Sequence, residues 1–186
     1  MQTAASTSSS GPPGESPEAG PQAEHGSLVD PAAFRAVMGE VATAVTVVTA
    51  MDGSRPHGTT VSAFSSLSLD PPLVLVSLDR GSQLLEVITA AGRFGVNVLS
   101  GGQAALAARF ATRGPDKFDG VGWRSDGMSP RLEGVAGFLD CEVTAILDGG
   151  DHVIVQGLVR GAEVEARHGQ PPLTYHRRAF GTHVPL

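Results

Sequence analysis

The sequence predicts a mainly β protein, built as an antiparallel barrel with helices at its periphery. About six or seven segments have the β-branched or alternating patterns of strands, against about three with helical spacing. Turn signals such as Asp52-Gly53 and Gly149-Gly150 stand between neighbouring strands and favour hairpins. No Gly-x-Gly-x-x-Gly turn joins a strand to a helix, which argues against a separate dinucleotide-binding domain on a parallel sheet.

Residues 1–27 are predicted to form a disordered tail, and residues 28–186 to form one domain. The tail is rich in Ser, Pro, Gly, Ala and Glu and lacks the apolar side chains that would offset the entropy lost on ordering. It has neither the positive start nor the apolar core of a secretory signal, and no later segment is apolar for long enough to span a bilayer. We therefore expect a cytoplasmic protein that does not cross a membrane.

Net charge and cysteine content exclude two classes of site. A formal net charge of −6 argues against a general nucleic-acid surface, because phosphate binding needs a concentrated positive field. The single cysteine, Cys141, excludes an intrachain disulfide framework and a multi-cysteine zinc site. Cys141 itself is predicted to be a small buried hydrophobic residue rather than a reactive thiol.

The first folded element is predicted to be a helix that Asp30 caps, with Pro31 in its first position. Four apolar side chains recur at helical spacing and form one face, namely Phe34, Val37, Met38 and Val41. The β-branched run at residues 45–49 then predicts a strand, and Asp52-Gly53 predicts the turn that follows it.

The stretch at residues 56–82 is the most informative part of the chain. Thr60, Ser62 and Phe64 fall on one face of a predicted strand whose side chains alternate. The apolar run at residues 73–76 predicts a strand buried on both faces. Small hydroxyl side chains at this density leave room for a flat polar ligand and offer it both donors and acceptors.

Two positions in the next segment have more than one interpretation. Ser82 precedes a second predicted helix and either only caps it or joins its free N–H groups in binding a phosphate. A strand at residues 93–99 and an alanine-rich helix follow. Arg109 of that helix either holds a phosphate or pairs with a surface acid.

Two longer strands, at about residues 135–147 and 152–165, are predicted to pair across a glycine-rich turn. The turn does not explain His152, which is either a satisfied edge residue or a donor that faces a ligand. Tyr175, in a short terminal strand, either fills the core or reaches the rim with its hydroxyl. Five more polar side chains near the C-terminus are predicted to be solvated: His168, His176, Arg177, Arg178 and His183.

Several catalytic templates are missing from the sequence. There is no Gly-x-Ser-x-Gly elbow, no His-Glu-x-x-His, no Gly-x-x-x-x-Gly-Lys-Ser/Thr loop and no paired histidine spacing that indicates a metal. We therefore predict no metal site. Spacing alone leaves the chain as a ligand-binding β-barrel whose chemistry is open.

Six motifs, in order along the chain, are similar to those of one known family. They are Gly58-Thr59-Thr60-Val61-Ser62-Ala63-Phe64, the run from Ser66 to Val74 with Asp70-Pro71-Pro72, Asp79-Arg80-Gly81-Ser82, Phe94-Gly95-Val96-Asn97-Val98-Leu99, Lys117-Phe118 and Gly150-Asp151-His152. Between about Pro31 and Phe180 the chain closely resembles the short-chain flavin reductase family, the reductase components of two-component flavin-dependent monooxygenases. One departure is near the end, where the run from Tyr175 to Phe180 replaces the more usual tyrosine, glycine and second aromatic.

The resemblance implies an FMN-binding split β-barrel, assembled as a homodimer with flavin near the subunit interface. It implies that the isoalloxazine and ribityl chain are lined by Pro56, Gly58, Thr59, Thr60, Ser62 and Ala63, and that Ser77, Leu78 and Asp79 continue that wall. It further implies that Ser82, Gln83 and Arg109 approach the flavin phosphate. His152 becomes the best candidate for binding NADH, and Tyr175 a weaker one.

The function that the resemblance implies is transfer of a hydride from NADH or NADPH to FMN or FAD, with the reduced flavin diffusing to a separate monooxygenase. Flavin is itself the hydride acceptor, so no side chain is expected to act as a proton-transfer catalyst. The alternative is a non-catalytic flavin carrier or sensor of the same fold. The sequence does not choose between the two flavins or between the two nicotinamide nucleotides.

Overall fold

A computed structural model describes residues 29–125, 129–164 and 171–185. The predicted tail at residues 1–27 and the predicted solvated His168 lie outside the described residues. The elements, in chain order, are α1 (Pro31–Gly39), β1 (Thr43–Ala44), β2 (Thr46–Asp52), β3 (Arg55–Val61), β4 (Phe64–Leu69), β5 (Pro72–Asp79), α2 (Gln83–Ala91), β6 (Arg93–Val98), a 3-10 helix (Gly101–Gln103), α3 (Ala104–Ala111), β7 (Trp123–Arg124), β8 (Arg131–Leu132), β9 (Gly137–Gly149), β10 (His152–Val164), β11 (Leu173–His176) and β12 (Ala179–Thr182). No described helix is both long and apolar enough to cross a bilayer.

The prediction of a mainly β, antiparallel protein is confirmed. The main sheet has seven strands in the order β3-β2-β6-β9-β10-β5-β4, and every neighbouring pair is antiparallel. Its two edge strands, β3 and β4, are consecutive in the chain and are joined through Ser62 and Ala63. Because so short a link reaches only about 10 Å, the sheet has to curl until its edges are neighbours. Among the described residues no ladder joins β3 to β4, so the ring of strands is not closed by hydrogen bonds.

Two hydrophobic clusters lie on opposite sides of β2. One packs α2 against the inside of the curled sheet and includes Val48, Val76, Ile88 and Phe94. The other packs α3 and the C-terminal hairpin and includes Val47, Leu99, Phe110, Leu132 and Leu173. Because Val47 and Val48 point to opposite faces of one strand, β2 belongs to both cores, and both side chains are fully buried.

Cys141 lies in the first of these clusters and has no exposed surface. Burial, with a smaller contribution from the neighbouring carboxylate of Asp140, raises the pKa of the Cys141 thiol to about 12. The prediction that Cys141 is a small buried hydrophobic residue is confirmed for its burial.

Two strand predictions are wrong in an informative way. The predicted alternating strand through Thr60, Ser62 and Phe64 is two strands, because the chain leaves one sheet edge after Val61 and enters the other at Phe64. The strand β5 is not buried on both faces. Val74 and Val76 are buried, whereas the alternate residues Leu73, Leu75 and Ser77 are half-buried on the outer face of this part of the sheet.

Helices α1 and α2 form where a helix was predicted, but the burial of α1 and the cap of α2 differ from the prediction. Asp30 caps α1 as predicted, because its carboxylate accepts the Ala32 N–H at 3.0 Å. The apolar face of α1 is not buried, and Phe34 and Val37 are 57% and 67% exposed. Ser82 occupies the N-cap position of α2, but its side chain makes no capping hydrogen bond.

The hairpin of β11 and β12 turns through Arg177 and Arg178, which have φ values of 48° and 63°. Left-handed backbone at both central residues is the geometry of a type I′ turn, which normally uses glycine or asparagine. Arg177 is not simply solvated, because its Nε and terminal nitrogen donate to the Glu40 carboxylate at 2.9 and 2.6 Å. The Arg177 backbone N–H also donates to the Gly39 carbonyl at 3.1 Å, which attaches the hairpin to the end of α1.

Replacing Arg178 by glycine is expected to stabilise the protein. Left-handed backbone costs a residue other than glycine about 1–2 kcal/mol, and glycine relieves this cost. The greater conformational freedom of glycine in the unfolded chain offsets about 0.5–1 kcal/mol of that stabilisation. We expect Arg178→Gly to raise the free energy of unfolding by about 0.5–1 kcal/mol in urea denaturation. Arg177→Gly is the matched control, because it relieves the same backbone strain but also removes the contacts with Glu40, and its gain should be smaller. A loss of stability in Arg178→Gly would contradict this account of the turn.

Candidate functional site

Two adjoining hollows lie where β3, the start of α2 and the loop after α3 meet. The smaller one, here called the recess, has a volume of about 260 Å³ and is lined by residues 59–63 and 77–79 together with Ser82 and His152. The larger one, here called the cleft, has a volume of about 480 Å³ and is lined by residues 56–59, Asp79, residues 81–84 and 111–115, Lys117 and Phe118. Thr59, Asp79 and Ser82 belong to both linings, so the recess and the cleft adjoin each other at these three residues.

Close packing between β3 and the aromatic residues after it forms the floor of the cleft. A Cβ atom on Gly58 would lie 2.9 Å from Phe110 Cε1 and 3.3 Å from Phe118 Cε2, so no larger residue fits there without movement. Phe110 and Phe118 meet edge to face, with ring centroids 4.9 Å apart. Gly58 belongs to the lining of the cleft, and the reason for a glycine at this position is packing beneath the surface.

The hydroxyl groups of the recess fall into two groups. Thr60 donates to the Ala107 carbonyl at 2.7 Å and Thr59 to the Phe110 carbonyl at 3.4 Å, so these two threonines attach β3 to α3. The hydroxyls of Ser62, Ser77 and Ser82 make no hydrogen bond with any described residue. The three serines are therefore the hydroxyl groups with both a donor and acceptors to offer a ligand.

The cleft also contains basic side chains that the sequence analysis did not select. Lys117 donates from Nζ to the carbonyls of Gly58 at 3.1 Å and Phe110 at 3.0 Å, and burial lowers its pKa. Arg113 is exposed and makes no hydrogen bond or ion pair with any described residue. The sequence motif Lys117-Phe118 signalled the lysine, whereas nothing in the sequence distinguished Arg113 from other surface arginines.

His57 is a further residue that sequence reasoning missed, although it stands between two predicted site residues, Pro56 and Gly58. Its Nε2 atom is buried in the cleft wall and has no hydrogen-bond partner among the described residues. Burial lowers the pKa of His57, the charges of Arg55 and Lys117 lower it further, and Asp52 partly opposes them. The imidazole is therefore held neutral with one unused polar atom.

The loop before α2 is shaped by Asp79. Its carboxylate accepts the Gly81 N–H at 2.6 Å, and its backbone carbonyl accepts the Ser82 N–H at 3.0 Å. Residues at the start of a helix have backbone N–H groups without intrahelical partners, and the helix dipole is positive there. The Ser82 hydroxyl, at the junction of recess and cleft, and the Gln83 backbone N–H, in the cleft, are therefore uncommitted donors beside one fixed carboxylate.

His152 begins β10 and lies opposite Asp79 of β5 in the sheet register. Its Nδ1 is 2.8 Å from the Asp151 carboxylate, a contact that lowers the pKa of Asp151. Since an ionised carboxylate only accepts, Nδ1 carries the hydrogen in this contact, and in the neutral form of the ring Nε2 is then the acceptor.

Arg80 fixes the position of the turn that carries His152. Its Nε donates to the Gly150 carbonyl at 2.8 Å, and its terminal nitrogen contacts the Asp148 carboxylate at 2.6 Å. Its backbone N–H also donates to the Asp151 carbonyl at 3.2 Å. The loop before α2 and the turn before β10 are thereby held together across the recess.

Most of the predicted site residues come together in these hollows. The recess or the cleft is lined by Pro56, Gly58, Thr59, Thr60, Ser62, Ala63, Ser77, Leu78, Asp79, Ser82, Gln83 and His152. Arg109 lies outside both linings, because its guanidinium donates to the carbonyls of Asp116, at 3.0 Å, and Asp119 and so braces the loop after α3. Tyr175 is also outside them, in the sheet of β1, β11 and β12, with its ring 5.4 Å from that of Phe180. The geometry gives the predicted roles of Arg109 and Tyr175 no support.

A family model and a named relative each match most of this chain. The family model "Flavin reductase like domain" matches residues 38–183. The chain is 42% identical over 149 residues to the flavin-dependent monooxygenase reductase subunit HsaB of Mycobacterium tuberculosis, covering 79% of this chain and 80% of that protein.

Two solved structures are also similar to this chain. Nitrilotriacetate monooxygenase component B of Mycobacterium thermoresistibile matches with a TM-score of 0.80 and 40% identity, over 83% of this chain and 87% of its own. The NADH:FAD oxidoreductase SgcE6 of Streptomyces globisporus, solved with NAD and FAD fragments, matches with a TM-score of 0.78 and 34% identity, over 86% and 98%.

The lowered pKa of His57 predicts a pH dependence of stability. Below the unfolded pKa of about 6.5, His57 binds a proton in the unfolded chain but not in the folded protein. The free energy of unfolding therefore falls as the pH drops through this range. We expect the melting temperature of His57→Gln to fall less than that of the wild type between pH 8 and pH 5. His183→Gln serves as the control for losing an exposed histidine. Parallel pH profiles for the wild type and His57→Gln would show that His57 contributes nothing.

Proposed function

The chain belongs to the flavin reductase like family, and from this membership and the geometry of the recess we propose that it is an NAD(P)H-dependent flavin reductase. It transfers a hydride from a nicotinamide nucleotide to FMN or FAD. The observation that carries the proposal is the recess, in which Ser62, Ser77 and Ser82 have hydroxyls without described partners beside the imidazole of His152.

The residues of the recess fit a flavin. An isoalloxazine ring is flat and carries hydrogen-bond donors and acceptors along one edge, and a hydroxyl can satisfy either kind. The small side chains of Ser62, Ala63 and Ser77 leave a slot rather than filling it. A ligand bound there would form hydrogen bonds with the uncommitted hydroxyls, which favours a polar planar ligand over an apolar one of the same size.

We assign the walls as follows. The segment from Thr59 to Ala63 contacts one side of the ring and the ribityl chain, and the segment from Ser77 to Asp79 contacts the other. Ser82 and Gln83 bind the first phosphate with the free N–H groups of α2. Pro56 and Gly58 line only the cleft.

His152 is assigned to the nicotinamide nucleotide. Its Nε2 lone pair suits the N–H groups of a carboxamide, and the Asp151 carboxylate keeps the ring in the tautomer that leaves Nε2 as the acceptor. The bound flavin supplies the hydride-accepting ring. The protein therefore needs no acid or base of its own, and its residues act by orienting the two ligands and excluding water between them.

The family fold and the observed curl of the sheet support a split barrel, in which β3 and β4 border the gap. A second copy of the chain is proposed to cover the outer face of the sheet, defined by Leu73, Leu75, Ile154 and Leu158. Leu73 lies opposite Leu158, and Ile154 lies opposite Ser77, so these side chains share one face of the sheet. Because Ser77 also lines the recess, a partner on this face would lie beside the flavin.

A separate monooxygenase is the proposed consumer of the product. The relative HsaB is named as the reductase subunit of a flavin-dependent monooxygenase, and the Mycobacterium thermoresistibile protein as nitrilotriacetate monooxygenase component B. We propose that reduced flavin leaves this chain and reaches its oxygenase by diffusion. The need for reduced nicotinamide nucleotide favours the cytoplasm as its location.

The proposed reaction is tested by anaerobic mixing of the protein with NADH, or NADPH, and excess FMN or FAD. A reductase bleaches the oxidised flavin catalytically, whereas flavin binding without bleaching would indicate the carrier or sensor. For His152→Ala we expect the KM for the nicotinamide nucleotide to rise about 2–10-fold, because one hydrogen bond is lost, with the Kd for oxidised flavin unchanged. His183→Ala is the matched control. A change in the Kd for flavin, with no change in the KM for the nicotinamide nucleotide, would assign His152 to flavin binding instead.

The proposed dimer is tested by placing a charge on the outer face. We expect the wild type to sediment as a dimer and Leu75→Glu to sediment as a monomer, because a carboxylate buried in an apolar interface is strongly disfavoured. Thr89→Glu, on the exposed side of α2 and so on the opposite side of the sheet, should remain dimeric. A monomeric wild type, or a dimeric Leu75→Glu, would refute the assignment of this face.

A further inference from the structure

The cleft continues beyond the space that a flavin ring and a single phosphate would occupy. It adjoins the recess at Thr59, Asp79 and Ser82 and adds about 480 Å³ of space. With a flavin ring in the recess and its first phosphate at Ser82, as proposed above, FMN would leave most of this volume to water. A ligand that extends past Ser82 would enter the cleft without any change in the position of its ring.

The polar groups of the cleft suit further phosphate. Arg113 has no partner among the described residues, and a guanidinium binds phosphate oxygens with two parallel hydrogen bonds. Lys117 uses two ammonium hydrogens on backbone carbonyls and has a third to donate. The one carboxylate in the lining, Asp79, is at the border with the recess and accepts the Gly81 N–H.

The remaining lining suits a flat aromatic group. Pro56, Leu84, Pro115 and Phe118 bring apolar surface to the same cleft. A purine base has apolar faces and would bury them against such side chains. The cleft thus combines groups for phosphate with groups for a base, and it adjoins the proposed flavin recess at Thr59, Asp79 and Ser82.

We propose that the cleft binds the adenosine diphosphate arm of FAD, and that Arg113 makes FAD rather than FMN the preferred flavin of this protein. The inference rests on the proposed function, because it takes the flavin ring to lie in the recess. A nicotinamide dinucleotide has the same adenosine diphosphate arm. Adjacency at Ser82 favours the flavin, since His152, the proposed nicotinamide contact, lines the recess and not the cleft.

The test is equilibrium binding of oxidised riboflavin, FMN and FAD, followed by flavin fluorescence in the absence of any nicotinamide nucleotide. We expect FAD to bind the wild type about tenfold or more tightly than FMN, which corresponds to the charge-assisted hydrogen bonds of one arginine. Arg113→Gln should weaken FAD binding by about the same factor and leave the Kd values of FMN and riboflavin within about twofold. Arg178→Gln, which removes an exposed arginine outside the cleft, should leave all three Kd values unchanged.

Three results would overturn the assignment. The first is equal affinity of the wild type for FAD and FMN, and the second is an FAD affinity that Arg113→Gln does not change. The third is an Arg113→Gln variant in which the KM for NADH rises while the Kd for FAD stays the same, which would give the cleft to the nicotinamide nucleotide. Failure of the proposed function would look different, because riboflavin and FMN would then fail to bind as well.

Discussion

The short crossing at Ser62 and Ala63 is the constraint on which the site depends. It joins the two edge strands of the main sheet, and so the sheet has to curl until β3 and β4 are close together. Curling also brings the end of β5 and the start of α2 next to β3, which are the parts of the chain that line the recess. A longer link would remove this requirement, and the same strands could then form a flatter sheet without the recess.

Three sets of hydrogen bonds keep the parts of the site in place once the sheet has curled. Thr59 and Thr60 attach β3 to α3, and Lys117 joins β3 to the end of α3 through the carbonyls of Gly58 and Phe110. Arg80 holds the loop before α2 against the turn that carries His152. Thr59 and Thr60, which were expected to contact a ligand, thus also hold the walls of the site together. Groups without a hydrogen-bond partner among the described residues include the three serine hydroxyls, His57 Nε2 and Arg113.

The sequence was sufficient for features that local chemistry determines. Asp30 caps α1, the hairpin before His152 turns at Gly150, and residues 137–149 and 152–164 pair as two long strands because their patterns and turn residues specify these structures. It failed where long-range contacts decide. Nothing local in the run from Thr60 to Phe64 shows that the chain changes sheet edges. Likewise, the loop carbonyls that bind Arg109 and the burial that isolates His57 Nε2 arise only in the folded protein. The family motifs were sufficient to predict the residues of the recess. The basic side chains that line the cleft could be identified only from the structure.

The serine hydroxyls of the recess differ from His57 in their access to solvent. Ser62 is exposed and Ser77 and Ser82 are half-buried, whereas the Nε2 atom of His57 is sealed from water. When a ligand departs, water can take over the hydrogen bonds of all three serines, so dissociation leaves no stranded polar atom in the recess. A pocket with this property binds its ligand specifically through the serine hydroxyls, and dissociation of the ligand carries no cost from an unsatisfied polar atom. Such reversibility is what a protein needs if its product is to be consumed elsewhere.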